Sequence, residues 1–380
     1  MTTAMMTGAG QRDLVVISGY YGFDNLGDEA ILEELTCQLK RLIEPEKILV
    51  LSATPLATAK KYGVSSVSRT DGLRFGKALL RARLFISGGG GLFQNTRNLK
   101  SVIFYFGQIL LARLLGCPVF IFAQGIGPLK GGIARALTRS AFALTNTCSV
   151  RDAGSSAILC QWHVPAILTA DPVWCLDKSP LPSDIVQATE ELHKQYSLLV
   201  GVSLRPSPNF QEEHKLALVG ALKDTLPPGS CLMLLALQKE QDLPVAVEFE
   251  RLLRREGLAC TVLDSASLER PSQWLSLFGE LDMVVSMRLH ALIMALAMGV
   301  PVAGIAYDPK VDHLLTEFEQ PILILADEPC GQDWTRCLKA AFHDARELSS
   351  RAMRKAECAK NLACQNFNLL DRILRMQSDS

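Results

Sequence analysis

The run SMRLHALIMALAMGVPVAGIAYDPKV, residues 286–311, sets Arg288 and His290 where an apolar strand hands over to an apolar helix. A buried or half-buried cation in such a place needs a counter-charge or a ligand. Lys310 follows the next apolar run, PVAGIA, so three cations stand at neighbouring strand ends and outline a pocket for an anion. His290 adds a group that can carry or give up a proton near neutral pH. Alone on an apolar helix it would more simply be a satisfied core residue; its company changes that reading. Arg205, in GVSLRPSPNF, lies just past another strand, where Pro206 blocks continuation. A solvated loop arginine and a ligand contact fit it equally. His313, a helical turn beyond Lys310, reads as a surface or capping residue.

The first half carries its own candidates. GYYGFDNLGDEAIL, residues 19–32, follows the opening strand and enters a helix near Gly27, whose first N–H groups are open to an anion or a sugar hydroxyl. It is neither a GxGxxG fingerprint nor a P-loop, since no GKS or GKT follows. Asn25, Asp28 and Glu29 are candidates for acceptor binding, and one carboxylate for a base; Asp28 and Glu29 would equally complement the helix dipole. In SGGGGLFQN, residues 87–95, four consecutive glycines suit neither helix nor strand interior, at about 1 kcal/mol each relative to alanine. Something must approach that backbone closely. It could be a phosphate, a sugar or the neighbouring domain, with Gly89 and Gly90 the candidate contacts and Asn95 a hydroxyl partner. FAQGIGPL, residues 122–129, offers Gln124 in the same sense. TCSVRDAGS, residues 147–155, ends a strand with Arg151 and opens a helix with Asp152 as N-cap. Arg151 either pairs with Asp152 or projects toward a carboxylate or phosphate, which a planar guanidinium binds bidentately.

Those residues need strands and helices to hold them. LVVIS at 14, ILVLS at 48, RLFIS at 83, PVFIFA at 118 and TCSVR at 147 alternate with helical patterns, the signature of a mostly parallel sheet covered on both faces. Periodicity lapses in DPVWCLDKSPLPSD, whose prolines suit a linker, and restarts with SLLVGVSL, CLMLLAL, ACTVLD, LDMVVSM and PVAGIA. The fold class is therefore α/β with two Rossmann-like domains, residues 1–180 and 195–330. A helical, charge-rich tail over 331–380 is placed to pack back across both. Ligands in such folds lie beyond the carboxyl ends of strands, which points to a cleft between the two sheets.

With 380 residues, two full cores are affordable. The 39 basic and 39 acidic residues cancel, which favours neither nucleic acid nor a strongly anionic membrane as partner. Eleven cysteines are scattered without CxxC pairs or His/Cys ligand spacing. Cys117, Cys148 and Cys231 read as small core residues of a reducing cytoplasm. The N-terminus lacks the ordered regions of a signal peptide, and no apolar run reaches the roughly 20 residues of a membrane span. The expectation is a cytoplasmic protein with at most peripheral contact at the inner face of the membrane, needing no metal and no cofactor.

Taken in order, the GxxNLGDEA-like element at 22–30, SGGGGLFQ at 87–94, AQGIGP at 123–128, SVRD at 149–152, ADP at 170–172, MRLHALIMALAMGVP and YDPKV resemble the polysaccharide pyruvyl transferase family, most closely its CsaB-type bacterial members. The resemblance spans roughly residues 13 to 320. It implies a GT-B-like two-domain fold, phosphoenolpyruvate as co-substrate donor and a saccharide diol as acceptor. It makes Arg151 a donor-binding, catalytic arginine and His290 the proton donor or transfer residue, with Arg288 and Lys310 joining the donor pocket. For CsaB-type members the acceptor is an N-acetylmannosamine-containing cell-wall polysaccharide precursor whose pyruvylation creates a ligand for S-layer-homology domains. The residues agree with that chemistry, because phosphate and carboxylate would be neutralised by arginines, Lys310 and glycine-loop amides. Two other readings stay open: a GT-B nucleotide-sugar glycosyltransferase, and a non-catalytic glycan- or anion-binding protein.

Overall fold

The computed structural model describes residues 12–95, 99–325 and 331–376. The chain forms two compact units that are not contiguous blocks of sequence. The first comprises the segment up to Phe23, Glu34–Pro172 and the chain from Leu362 onward; the second comprises Asp24–Glu33 and Val173–Asn361.

In the first unit, β1 (Leu14–Ser18), β2 (Ile48–Ser52), β3 (Ser65–Ser68), β4 (Ala82–Ser87), β5 (Gly90–Phe93), β6 (Val119–Ile126), β7 (Thr147–Val150) and β8 (Ile167–Leu168) form one parallel sheet. Its order is β3-β2-β1-β4-β6-β7-β8, with β5 added alongside β6. Val15, Val16 and Ile17 are wholly buried because helices cover both faces, and so the strand is apolar without alternation. The chain reverses direction across the sheet between β1 and β4, where Ser18 lies opposite Ser87.

The second unit repeats the plan with β9 (Leu198–Ser203), β10 (Ser230–Leu234), β11 (Cys260–Val262), β12 (Met283–Ser286), β13 (Val302–Ala306) and β14 (Ile322–Ile324). Their order, β11-β10-β9-β12-β13-β14, is the doubly wound 3-2-1-4-5-6, all parallel, with its switch point between β9 and β12. The ten runs read as strands in the sequence are all strands, while β3, β5, β8 and β14 are too short or too polar to stand out. The fold is thus α/β with two Rossmann-like parallel sheets.

Two local expectations change. The glycine run is not wholly loop: Gly90 and Gly91 open β5, and the pairing with β6 is irregular, with Gly90 at φ +105°. The stretch after Pro172 is packed and not an open linker, since Trp174 is buried and stacks on Phe318 with centroids 4.9 Å apart. The tail forms helices Gly331–His343 and Ala345–Met376. From the latter, buried Asn366 accepts hydrogen bonds from Ser149 Oγ (2.7 Å) and Thr169 Oγ1 (2.9 Å) and donates to the Ala170 carbonyl (3.0 Å). That one amide ties together the ends of β7 and β8, the two elements that lead into Arg151 and Asp171.

Candidate functional site

At the switch point of the second unit, β9 and β12 end side by side, with Ser203 opposite Ser286. Ser286 Oγ donates to the Ser203 carbonyl (3.1 Å) and accepts from the Arg288 N–H (2.8 Å), which locks the turn into helix Leu289–Ala297. Arg288 is the N-cap residue of that helix, and its guanidinium is buried in an ion pair with Asp242, with Gln238 Oε1 3.4 Å away. The partner is thus within its own unit. Asp242 has no solvent exposure and also accepts from the Gln238 N–H at 2.9 Å. Just past β9, Arg205 donates from Nη1 to the Tyr307 hydroxyl (3.0 Å) and lies over the Tyr307 ring. Ser203 Oγ, Arg205 Nε and Arg288 Nε are buried without a hydrogen-bond partner among the described residues. Native proteins seldom leave such atoms unsatisfied.

His290 follows in the first turn of the same helix, half-buried. Its ring lies against the backbone of Gly27, so closely that a Cβ at residue 27 would overlap it. Gly27 stands in the first turn of helix Leu26–Lys40, whose opening residues count with the second unit and are fixed there by a hydrogen bond from the Leu26 N–H to the Leu237 carbonyl (3.2 Å). Asn25 stands at the N-cap, its Oδ1 accepting from the Gly27 N–H at 3.3 Å. Asp28 and Glu29 are buried in the same turn, each engaged by partners of its own. Farther along, Glu33 accepts from Ser272 N–H (3.0 Å) and Oγ (2.9 Å), capping helix Pro271–Phe278. Lys310 lies half-buried in the first turn of helix Pro309–Phe318, capped by Asp308, while His313 is exposed.

In the first unit, Arg151 follows β7 and is buried in an ion pair with Asp171 at 2.5 Å. Asp152 instead caps helix Ala153–Gln161 through the Ser155 N–H (2.7 Å), so the expected alternative pairing of neighbours does not form. The rest of the Arg151 guanidinium runs along Gly125, where a Cβ would come within 2.9 Å of Nε. The group that approaches the glycine run at Gly88 belongs to the protein: the Tyr21 hydroxyl occupies the space of a side chain there. Gln124 is wholly buried and donates to the carbonyls of Gly90 and Gly125, so it staples β5 to β6 and has no opening to solvent. Asn95 likewise bridges to Lys130, accepting from its N–H (2.6 Å) and donating to its carbonyl (2.7 Å). Gly89 is buried beside Gly90 at the carboxyl end of β4.

Asp242, Ser203 and Tyr307 carry no local signal in the sequence, and Asp171, within ADP, carries none of its pairing with Arg151. Among the described residues no group of three His, Cys, Asp or Glu side chains is arranged to hold a metal ion. Burial pushes the Cys148 thiol up to about 12 and those of Cys117 and Cys231 to about 11, so all three are neutral core groups.

Solved structures share this fold. The Anabaena HepE protein in complex with UDP and glucose matches with TM-score 0.60 and 14% identity, covering 95% of this chain and 99% of that one. The S. aureus MnaA protein with UDP matches with TM-score 0.62 and 8% identity over 90% and 91%. The UDP-GlcNAc 2-epimerase from Neisseria meningitidis bound to UDP-GlcNAc matches with TM-score 0.60 and 13% identity over 95% and 99%. At such identities the likeness is one of fold. A search of curated protein sequences returns no match. The sequence profile of polysaccharide pyruvyl transferases matches residues 25–309, three quarters of the chain, and the chain belongs to that family.

Proposed function

We propose that the protein transfers the pyruvyl group of phosphoenolpyruvate onto two hydroxyls of a sugar in a cell-surface polysaccharide precursor, forming a ketal and releasing phosphate. Family membership supports the transferase class. Ser203 Oγ, Arg205 Nε and Arg288 Nε, three buried donors with no protein acceptor at adjacent strand ends, carry the assignment of an anionic donor. Lys310, in the first turn behind β13, adds a third cation. Arg288 keeps one edge on Asp242 and offers the other to the ligand.

The chemistry needs one proton delivered and one charge held. A first acceptor hydroxyl gives its proton to a base and bonds its oxygen to C2 of the enol, while C3 takes a proton from the acid and becomes a methyl group. His290, half-buried beside the helix start, is the acid in this reading. C2 then carries carboxylate, methyl, phosphate and the sugar oxygen. Phosphate departs with the C2–O bonding pair, neutralised by the arginines and Lys310, and the second hydroxyl bonds to C2 and loses its proton, closing the ketal. Asp28 and Glu29, in the turn that carries Gly27, are the carboxylates nearest in the chain to the His290 contact and serve as base candidates. Arg151, clamped by Asp171, holds a carboxylate or phosphate oxygen in the first unit. The N-acetylmannosamine-type acceptor of the CsaB-type members is the acceptor proposed.

Incubation with phosphoenolpyruvate and candidate glycans tests this by coupling phosphate release to a pyruvate ketal detected on the sugar. A product carrying an enolpyruvyl ether or a hexose would overturn it. So would thermal stabilisation by UDP-sugars with none by phosphoenolpyruvate.

A further inference from the structure

Equal numbers of acidic and basic residues conceal a segregation. Between Asp71 and Asp152 the chain has no Asp or Glu in 80 residues and eleven Lys or Arg. That stretch builds three helices of the first unit, Gly72–Arg81, Lys100–Leu114 and Gly132–Ala143. Each precedes a strand farther along the same direction of the sheet, so right-handed crossovers put all three in one layer. Leu73 in the first helix is 81% exposed, Ile103 in the second 51% and Ile133 in the third 68%. All three stand in the first turn of their helices, hence at the carboxyl end of the parallel strands. Around them Lys77, Lys100, Lys130, Arg135 and Arg139 are exposed. The acidic residues at the margins are occupied, Asp71 by Arg74 and Asp152 by its helix cap.

We propose that this end of the helical layer docks on an anionic lipid bilayer, with Leu73, Ile103 and Ile133 entering the interface and the lysines and arginines resting among the headgroups. Charge complementarity selects the partner, and interleaved aliphatic side chains select a membrane over a soluble polyanion, which would leave them in water. Among the described residues no helix is long and apolar enough to cross a membrane, so the contact is peripheral. A lipid-borne acceptor would thereby meet the sheet end that carries Arg151. That last step rests on the ketal reading; vesicle binding is measured without turnover, so either can fail alone.

Co-sedimentation of the full chain with phosphatidylcholine vesicles, with and without roughly one third phosphatidylglycerol, tests the surface. Binding to the anionic vesicles alone, weakening as salt rises, is expected. The Leu73→Ser/Ile103→Ser/Ile133→Ser variant should lose about tenfold in partitioning with an unchanged melting temperature, and the Lys77→Glu/Lys130→Glu/Arg135→Glu variant should lose at least as much. No association with anionic vesicles at low salt would overturn the proposal. So would wild-type vesicle binding by the serine variant, or binding to soluble heparin in place of vesicles.

Discussion

Each unit buries one arginine–aspartate pair just beyond its strand ends, and the two pairs are built differently. Arg151 and Asp171 retain side-chain exposures of 6% and 5%, whereas Arg288 and Asp242 have 9% and 0%. In the first unit the aspartate comes from the loop after β8, stapled by Asn366, and the guanidinium runs along the bare backbone of Gly125. In the second, the aspartate sits inside a helix start with a further hydrogen bond to the Gln238 N–H, and the arginine keeps a buried Nε with no protein acceptor. Only the second pair has a histidine two residues on. The first unit therefore presents a fixed charge, and the second combines fixed charge, unspent donors and a group that can move a proton. On the proposed reading, the first unit holds the ligand's charge and the second does the chemistry.

Removing His290 should separate the two units most sharply. His290→Ala is expected to lower kcat by about 10³-fold, the usual scale for a general acid, with phosphate release as the readout. Gly27→Ala, which leaves every catalytic side chain in place but fills the space of the His290 ring, should cost about 10²-fold. Full activity in Gly27→Ala would break the assignment of chemistry to the second unit. Stability should not follow the same asymmetry. Asp242→Ala leaves the Arg288 charge buried and should destabilise by about 3–5 kcal/mol in urea unfolding followed by fluorescence. Asp171→Ala strands Arg151, whose side chain is no more exposed than that of Arg288, and should cost about as much.

Much of the scaffold was legible in the chain and much of the site was not, for one physical reason. Strands buried on both faces read as unbroken apolar runs, so LVVIS or LDMVVSM declares itself within five to seven residues. Arg288, His290, Arg151 and Lys310 were legible because charge is costly at the end of such a run. Their partners were not. Asp242 is 46 residues from Arg288, and Gly27 is 263 from His290, and nothing local marks either relation. The glycine run shows the converse: its need for space was legible, yet the occupant at Gly88 is Tyr21, a residue that the sequence offers only as one aromatic among several. Gln124 and Asn95 look like ligand residues for the same cause, polar groups at strand ends; Asn95 and the Gln124 amide NH2 are spent on the backbone, while the buried Gln124 Oε1 has no hydrogen-bond partner among the described residues.

A milder substitution sharpens the contrast in binding. Arg151→Lys keeps the charge and loses the planar fork, so KM for the donor should rise about tenfold while kcat changes little.

The smallest effect expected is at Tyr307, whose hydroxyl accepts from Arg205 Nη1 at 3.0 Å while its ring supports the guanidinium face. Tyr307→Phe removes the hydrogen bond and leaves the ring. A hydrogen bond to a charged group contributes about 1.5–3 kcal/mol when fully desolvated. Arg205 and Tyr307 are only half-buried, so water recovers part of that and the donor KM should rise several-fold at most. If Arg205 faces the donor, Tyr307→Phe raises KM and leaves the melting temperature within a degree or two. If Arg205 is only a loop arginine, Tyr307→Phe and Arg205→Ala should both leave KM untouched, and the second unit would then hold its anion through Arg288 and Lys310 alone.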